Sequence, residues 1–401
     1  DMKEILIKEY NNLVKSLITP LIKSNTFKVN FIKGCRFEVI GDQKAKYSVN
    51  FINQANGDVV YESVITNNMW CQTNVQYFVN YLVKVTDVST GEVVFEHKYN
   101  GKDQKIYVHL ASNALGDTLS WVPHLEEFRK KHNCELVVST FHNSMFEPRY
   151  PDIKFVSPGT EIFDLYAMYE VGWHYDEEGK INYSRNPEDF RKNPLSKTAS
   201  DILGLDYKEI KPKHTFKNTG STIDGDYVCI APHASAHAKY WNYKGGWQAV
   251  IDHLNDKGYK VVMITQEPLG DKWHDSKIGG TLKNVIDKTG DFPLSERAND
   301  LMNAKSFIGL GSGLSWLSWA VGCPTTLISG FSEAYSEFED CQRISPPKDK
   351  CSGCFNITRL NAGDWEWCPE HKNTSRHFEC TKSIEPKTVI DAINRQLGKI
   401  S

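Results

Sequence analysis

A glycine-containing turn near residue 115 carries the first side chain that could perform chemistry. Asp117 follows the apolar run KIYVHLA and precedes an amphipathic helical pattern at 118–131. A carboxylate at this point is a common helix N-cap, because its oxygens accept hydrogen bonds from free backbone N–H groups. At the C-terminal end of a strand, the same carboxylate is also placed to act as a general base. The sequence leaves both interpretations open.

A second turn, HASAHAK, links the strand pattern YVCIA to a following helix and ends in Lys239. A lysine among small residues can donate to phosphate oxygens, although an ordinary solvated loop lysine fits equally well. His233 and His237 lie in the same turn. Their types fit polar lining, metal ligation or acid–base roles, and the sequence does not separate these.

A third turn, GLGSGLS at 309–315, joins an apolar strand pattern to a short helix. Its flexible backbone, its hydroxyls and the helix N-terminus together form a potential anion cradle. It lacks both the GxGxxG order and the GK[ST] ending of nucleotide-binding loops, so the signal is weak alone. We expect Trp316 and Trp319, on the helix that follows, to lie in the core rather than to form a ligand platform.

Glu267 follows the strand pattern KVVMIT and is a fourth candidate. Acidic residues at this point of a Rossmann unit bind the ribose hydroxyls of a nucleotide. Without further support, Glu267 is equally well a residue at the start of a helix.

Four of the ten cysteines cluster near the C-terminus, and they form the strongest local signal. Cys351 and Cys354 form a CxxC pair, and Cys368 and Cys380 follow after thirteen and eleven residues. Four thiolates suit one tetrahedral ion of zinc or iron and leave no open coordination position, which predicts a structural site. Four unrelated thiols are the alternative.

The hydrophobic pattern divides the chain into three regions. Residues 25–100 alternate short strand patterns with the turn signals Asn56-Gly57 and Thr90-Gly91, which predicts a small antiparallel β-domain. From Lys105 the pattern changes to alternating strands and helices, and it resumes at Asp226 after a polar passage at 166–218 that we expect to be a connector. Two such halves predict two Rossmann-like units facing across a cleft.

Composition excludes several classes of protein. The 47 basic and 50 acidic residues give a formal charge of −3, so no basic excess points to nucleic acid or anionic membranes. The uncharged stretch 307–331 is long enough to span a bilayer, but its five glycines and Pro324 predict strand, turn, helix and strand instead. A chain of 401 residues does not need a disulfide framework, so the ten cysteines predict a cytoplasmic protein with reduced thiols.

Five segments together resemble the bacterial autotransporter heptosyltransferases, which are relatives of the lipopolysaccharide heptosyltransferases and have the GT-B fold. The segments are ALGDTLSW (114–121), AKYWNY (238–243), FIGLGSGLSWLSWA (307–320), LISGFS (327–332) and WCPEHKNTSRHFECT (367–381). The resemblance covers nearly the whole chain. It implies an N-terminal helix and antiparallel β-domain at 1–104 and a first Rossmann-like domain on the acceptor side at 105–220. The donor-side domain at 221–401 then contains a four-cysteine metal-binding insertion at 341–381 and a C-terminal helix.

The resemblance also implies a function: inverting transfer of heptose from ADP-heptose to serine hydroxyls of an autotransporter protein. Asp117 matches the catalytic base, and Lys239 matches the lysine on the donor phosphate. Glu267 and the turn residues fall where ribose and diphosphate bind; these turn residues are Gly311, Ser312, Gly313, Leu314 and Ser315. The cysteines match an iron-binding set, members form dodecamers in the cytoplasm, and no metal is expected in the active site.

Two other functions remain open at this stage. One is a transferase of the same fold that acts on a glycan or lipid acceptor. The other is a non-catalytic scaffold that binds nucleotide sugars, because a binding motif alone does not demonstrate turnover.

Overall fold

The computed structural model describes residues 2–18 and 23–398, and an antiparallel region comes first. Helix α1 (Met2–Ile18) precedes seven strands that form two sheets, with orders β1-β2-β5 and β4-β3-β6-β7. Both expected hairpins are confirmed, because β3 pairs with β4 and β6 with β7 in antiparallel register. The strands are β1 (Thr26–Asn30), β2 (Arg36–Ile40), β3 (Lys46–Asn53), β4 (Val59–Thr66), β5 (Trp70–Gln72), β6 (Tyr81–Asp87) and β7 (Val93–Lys98).

This antiparallel region packs directly onto the next part of the chain. Phe31 is buried, its N–H donates to the carbonyl of Tyr166 at 2.8 Å, and it forms a bridge with Ala167. One hydrophobic core therefore runs from the antiparallel sheets into the first parallel sheet. A domain boundary at residue 104 stays a prediction.

The first α/β half, residues 105–220, contains a four-stranded parallel sheet of order β10-β9-β8-β11. Its elements are β8 (Lys105–Leu110), α2 (Leu115–His132), β9 (Glu135–Ser139), β10 (Ile153–Val156), β11 (Ala167–Val171) and α3 (Lys197–Leu203). The passage 166–218 is thus more than a connector, since β11 and α3 both lie in it. The many polar residues that flank these short elements hid them from pattern analysis.

The second half, residues 221–398 of the described chain, contains a six-stranded parallel sheet of order β14-β13-β12-β15-β16-β17. Its strands are β12 (Tyr227–Ile230), β13 (Lys260–Met263), β14 (Ile286–Asp287), β15 (Ser306–Gly309), β16 (Thr325–Ile328) and β17 (Gln342–Ile344). Its helices are α4 (Gly246–Asp256), α5 (Lys272–Lys277), α6 (Leu294–Asn303), α7 (Gly313–Ala320), α8 (Glu379–Lys382) and α9 (Pro386–Gly398). Strands β12, β15 and β16 are buried along their whole length, which explains why none of them contains a charged residue.

The uncharged stretch 307–331 folds as expected into the end of β15, the helix α7 and the strand β16. All four residues of β16 are buried in the parallel sheet. No helix in the described part of the chain is long and apolar enough to cross a bilayer.

Candidate active site

A cleft of about 1070 Å³ opens between the two halves. Loops that follow β8 and β11 form one wall, and loops that follow β12, β13 and β15 form the other. Strand β8 lies between β9 and β11, and β12 lies between β13 and β15. The chain therefore leaves each central strand at a point where strand order reverses, which opens a crevice at its carboxyl end.

Asp117 lies in the first turn of α2 and lines this cleft. The cap position is Ala114, so the N-cap interpretation of Asp117 is wrong. Burial raises the pKa of the Asp117 carboxyl, while a hydrogen bond from the Ser112 hydroxyl and the charge of Lys239 act in the opposite direction. A raised pKa makes the ionised carboxylate a better proton acceptor, which suits a general base.

Lys239 reaches the cleft from the second half. It ends a short 3-10 turn, His237–Lys239, and its Nζ lies 3.4 Å from Ser235 Oγ. Burial lowers the pKa of Lys239, and the charges of Asp117 and Glu337 raise it. The freely solvated loop lysine is therefore the wrong interpretation. Asp117 and Lys239 come from opposite halves, yet they lie close enough to influence each other's charge.

The turn at 311–314 lines the same cleft at the start of α7. Amides in the first turn of a helix have no intrahelical acceptor, so they are available to an anion. Close packing favours glycine at two positions: a Cβ on Gly311 would lie 2.8 Å from Glu337 Oε1, and one on Gly313 would make a tight contact 3.2 Å from Leu115 Cβ. Without side chains at these two glycines, a ligand can approach the backbone of the turn closely.

Ser315 differs from the other predicted turn residues. It is buried, and its hydroxyl donates to the carbonyl of Leu310 at 2.5 Å. The Ser315 side chain therefore stabilises the turn, and Ser315 does not line the cleft.

Trp319 lies in the core, as expected, whereas Trp316 is part of the core and also lines the cleft. Trp316 and Trp319 are both buried, and their rings pack perpendicular to each other with centroids 5.4 Å apart. Trp316 also contacts Gly116, where a Cβ would lie 2.6 Å from the indole Cδ1. This close approach lets α2 pack against α7 and brings the two helix N-termini to one end of the cleft.

Glu267 lines the cleft beyond β13. Helix α5 has Asp271 as its cap, and this side chain accepts hydrogen bonds from the N–H groups of Trp273 and His274. The interpretation of Glu267 as a residue at the start of a helix is therefore wrong.

His233 and His237 are both held neutral near pH 7. Burial and neighbouring positive charge lower each pKa to about 4. The side chain of His233 is fully buried, with its Nε2 3.8 Å from Asp275 Oδ1. His237 packs on Phe378 with ring centroids 4.5 Å apart. His237 thus supports the loop that carries Lys239 and does not line the cleft, whereas His233 lines the cleft with its side chain buried.

Two cleft residues were missed by sequence reasoning. Glu337 accepts a hydrogen bond from Ser332 Oγ at 2.6 Å and forms an ion pair with Arg343. Asn356 is buried beside the cleft within the cysteine-bearing segment. Glu337 lies in a loop and Asn356 ends a short 3-10 turn, Cys354–Asn356, and no motif in the sequence marks either residue.

The four clustered cysteines have free thiols, and within the described part of the chain no three of their sulfur atoms lie within 4.8 Å of one another. Burial and the neighbouring thiols raise the pKa of Cys354 to about 11 and that of Cys380 to about 12. Cys351 and Cys368 are among the thiols that cause these shifts. Free thiols that influence one another's pKa are the donor chemistry that binds a soft metal ion, since the ion stabilises the thiolates.

A second possible ligand set overlaps the first. Within the described part of the chain, donor atoms of Cys351, His371 and Glu379 lie within 4.8 Å of one another. Glu379 is already held by an ion pair with Arg376 at 2.6 Å. The four-cysteine set remains a prediction, and His371 is a candidate ligand that the CxxC pattern does not reveal.

Comparison with known proteins gives the family. The family model of glycosyltransferase family 9 (heptosyltransferase) matches residues 192–334. The autotransporter heptosyltransferase BAHTCr of Citrobacter rodentium is 36% identical over 88% of this chain and 85% of its own length. The chain belongs to the autotransporter heptosyltransferases. It is a glycosyltransferase, and its two facing parallel sheets are the GT-B-like arrangement expected from its sequence.

Another heptosyltransferase of this family, TibC of Escherichia coli, is 37% identical over 81% of this chain and 80% of its own length. The crystal structure of the iron-containing dodecameric glycosyltransferase TibC superposes with a TM-score of 0.83 and 31% identity, covering 95% of this chain and 99% of that one. TibC has also been solved in complex with ADP-D-beta-D-heptose, with 96% of this chain and 100% of that chain covered.

Proposed function

We propose that this heptosyltransferase moves heptose from ADP-heptose to serine hydroxyls of an autotransporter protein, with inversion at the anomeric carbon. One observation carries the proposal. Asp117 and Lys239 enter a single cleft from opposite halves and shift each other's pKa. A base on one side and a cation on the other suit a single displacement between an acceptor and a phosphorylated donor.

In the proposed reaction, Asp117 accepts the proton of the serine hydroxyl as its oxygen attacks the anomeric carbon. The new bond forms as the bond from that carbon to the diphosphate oxygen breaks, and ADP leaves with the electron pair. Negative charge grows on the leaving oxygen, where Lys239 and the amides of Gly311, Gly313 and Leu314 can stabilise it; the Ser312 amide already donates to the carbonyl of Leu310. Glu267 would accept hydrogen bonds from the ribose hydroxyls.

The test is a transfer assay with purified protein, ADP-heptose and a serine-containing autotransporter passenger protein. We expect mass increments of one heptose unit on serine peptides and the opposite anomeric configuration from the donor. Increments on a glycan or lipid acceptor, with none on the passenger, would favour the second transferase function. Binding of ADP-heptose without any transfer would favour the scaffold.

The assay is needed because a family name alone does not establish turnover. A relative from Burkholderia thailandensis, 30% identical over 81% of this chain, is named an inactive autotransporter heptosyltransferase.

We propose that Cys351, Cys354, Cys368 and Cys380 bind one structural iron ion, with zinc as the alternative. Iron-containing TibC supports this assignment, and so does the contribution of Cys351, Cys354 and Cys368 to the raised pKa of Cys380. The ion would hold the segment 351–380 folded and would take no part in transfer. Elemental analysis of protein purified without added metal distinguishes iron from zinc.

We also propose a homo-oligomer of twelve copies that acts in the cytoplasm. Support comes from dodecameric TibC and from the exposed valines on strands β4 and β7, which form the two edges of their sheet. Light scattering coupled to size-exclusion chromatography tests the assembly, and a monomer at micromolar concentration would contradict it.

A further inference from the structure

The cysteine-bearing segment forms a bridge across one end of the cleft. Residues 354–359, which we call the strap, belong to the second half in sequence but contact the first half directly. Phe355 stacks on Trp173 with ring centroids 5.3 Å apart, and the Arg359 guanidinium lies 4.2 Å from the centre of the Tyr175 ring.

Asn356 makes the most specific contact of the strap. Its side-chain nitrogen donates to the carbonyl oxygen of Arg191, in the first half, at 2.6 Å. The same nitrogen donates to Ser336 Oγ at 2.8 Å, and its oxygen accepts from the N–H of Glu333 at 2.8 Å. The buried side-chain amide of Asn356 therefore joins the two halves. Its oxygen accepts a hydrogen bond from the second half, and its nitrogen donates to both halves.

The partners of Asn356 in the second half belong to the loop that forms the wall behind the glycine turn. Ser332 and Glu337 flank residues 333–336, and their side chains are hydrogen-bonded to each other. Glu337 also packs against Gly311. A second bond between the halves lies next to Asn356, because the N–H of Leu195 donates to the carbonyl of Ser336 at 2.9 Å. Movement of Asn356 would therefore shift this wall relative to the half that carries Asp117.

We propose that Asn356 is a positioning residue for the transfer reaction, whose amide fixes the donor wall of the cleft relative to the half that carries the base. The inference rests on the proposed function. Donor binding and the base lie on different halves, so a loosened bridge leaves nucleotide binding intact but misplaces the donor for attack. Small errors in such placement reduce the rate of the chemical step strongly.

The test uses Asn356→Asp, which keeps the size of the side chain and the acceptor for Glu333. Its second oxygen faces the Arg191 carbonyl, so an attractive contact becomes a repulsive one. We expect kcat to fall about tenfold while ADP affinity stays within about twofold of the parent value. Hydrogen exchange at the Leu195 amide should accelerate, and the metal content should not change.

Two further variants make the result specific. Ile357→Ala changes an exposed side chain of the strap and should preserve kcat and Leu195 protection. Arg359→Ala removes the exposed contact with Tyr175 and should lower kcat by about twofold, which covers the case in which Asn356→Asp does not fold.

Two results would overturn the inference: parental kcat and Leu195 exchange in Asn356→Asp, or a fall in kcat matched by equal losses of ADP affinity and bound metal. Failure of the parent protein to transfer heptose would instead refute the proposed function. The exchange measurement would still report whether Asn356 joins the two halves.

Discussion

At the scale of single residues, the candidate chemistry depends on two charges that share a partly desolvated cleft. Burial raises the pKa of Asp117 and lowers that of Lys239, and each charge opposes the shift of the other. Each ionised group therefore stabilises the charged form of the other. Removal of either charge should change the titration of the other.

Lys239→Gln tests this coupling through the pH dependence of transfer. Without the positive charge, the pKa of Asp117 rises further, so the base becomes ionised at higher pH. We expect the acid limb of kcat/KM to move to higher pH, together with a loss of about tenfold or more in kcat/KM from the missing phosphate contact. Exposed Lys244→Gln is the matched control. An unchanged acid limb would show that the two groups do not interact.

At the scale of structural elements, the glycine turn shows why sequence spacing predicted some features and not others. The strand–turn–helix pattern located 309–315 correctly because local hydrophobic periodicity and glycine content determine it. The need for glycine at position 311 does not follow from this local pattern. It comes from Glu337, whose side chain reaches the turn from another loop. The inward orientation of Ser315 was also hidden, since its acceptor is the backbone carbonyl of Leu310.

Gly311→Ala tests the close packing of this turn. The new methyl group would lie 2.8 Å from Glu337 Oε1, and Glu337 cannot move freely because Ser332 and Arg343 hold it. We expect a loss of about 1–3 kcal/mol in the free energy of unfolding and weaker ADP binding. Gly363→Ala, at an exposed position with ordinary contacts, is the control. Parental ADP affinity in Gly311→Ala would contradict the assignment of the turn.

The cysteine-bearing segment offers a test that distinguishes the four-cysteine ligand set from the set of Cys351, His371 and Glu379. If the four cysteines bind the ion, Cys354→Ser should lose the metal and His371→Ala should retain it. If Cys351, His371 and Glu379 bind it, the two results reverse. Metal content per chain is the measurement, and Cys341→Ser, outside both sets, is the control. Loss of the metal should also lower the melting temperature, because metal binding is coupled to folding.

At the scale of the whole molecule, the two α/β halves and the antiparallel region could be predicted because their patterns are local. The position of the halves relative to each other could not. It depends on contacts between distant residues, such as Gly116 with Trp316 and Asn356 with Arg191. Strand β11 and helix α3 escaped prediction for a different reason, because they are short and lie in polar sequence.

The central claim is that one cleft, with Asp117 as its base, performs the transfer. The most direct measurement is the intact mass of an autotransporter passenger after incubation with ADP-heptose and either the parent protein or Asp117→Asn. Asp103→Asn, an exposed change in the antiparallel region, is the control. We expect the parent and control to add heptose units, and Asp117→Asn to be slower by about 10²–10⁴-fold with ADP affinity retained. Transfer by Asp117→Asn at the parental rate would contradict the account.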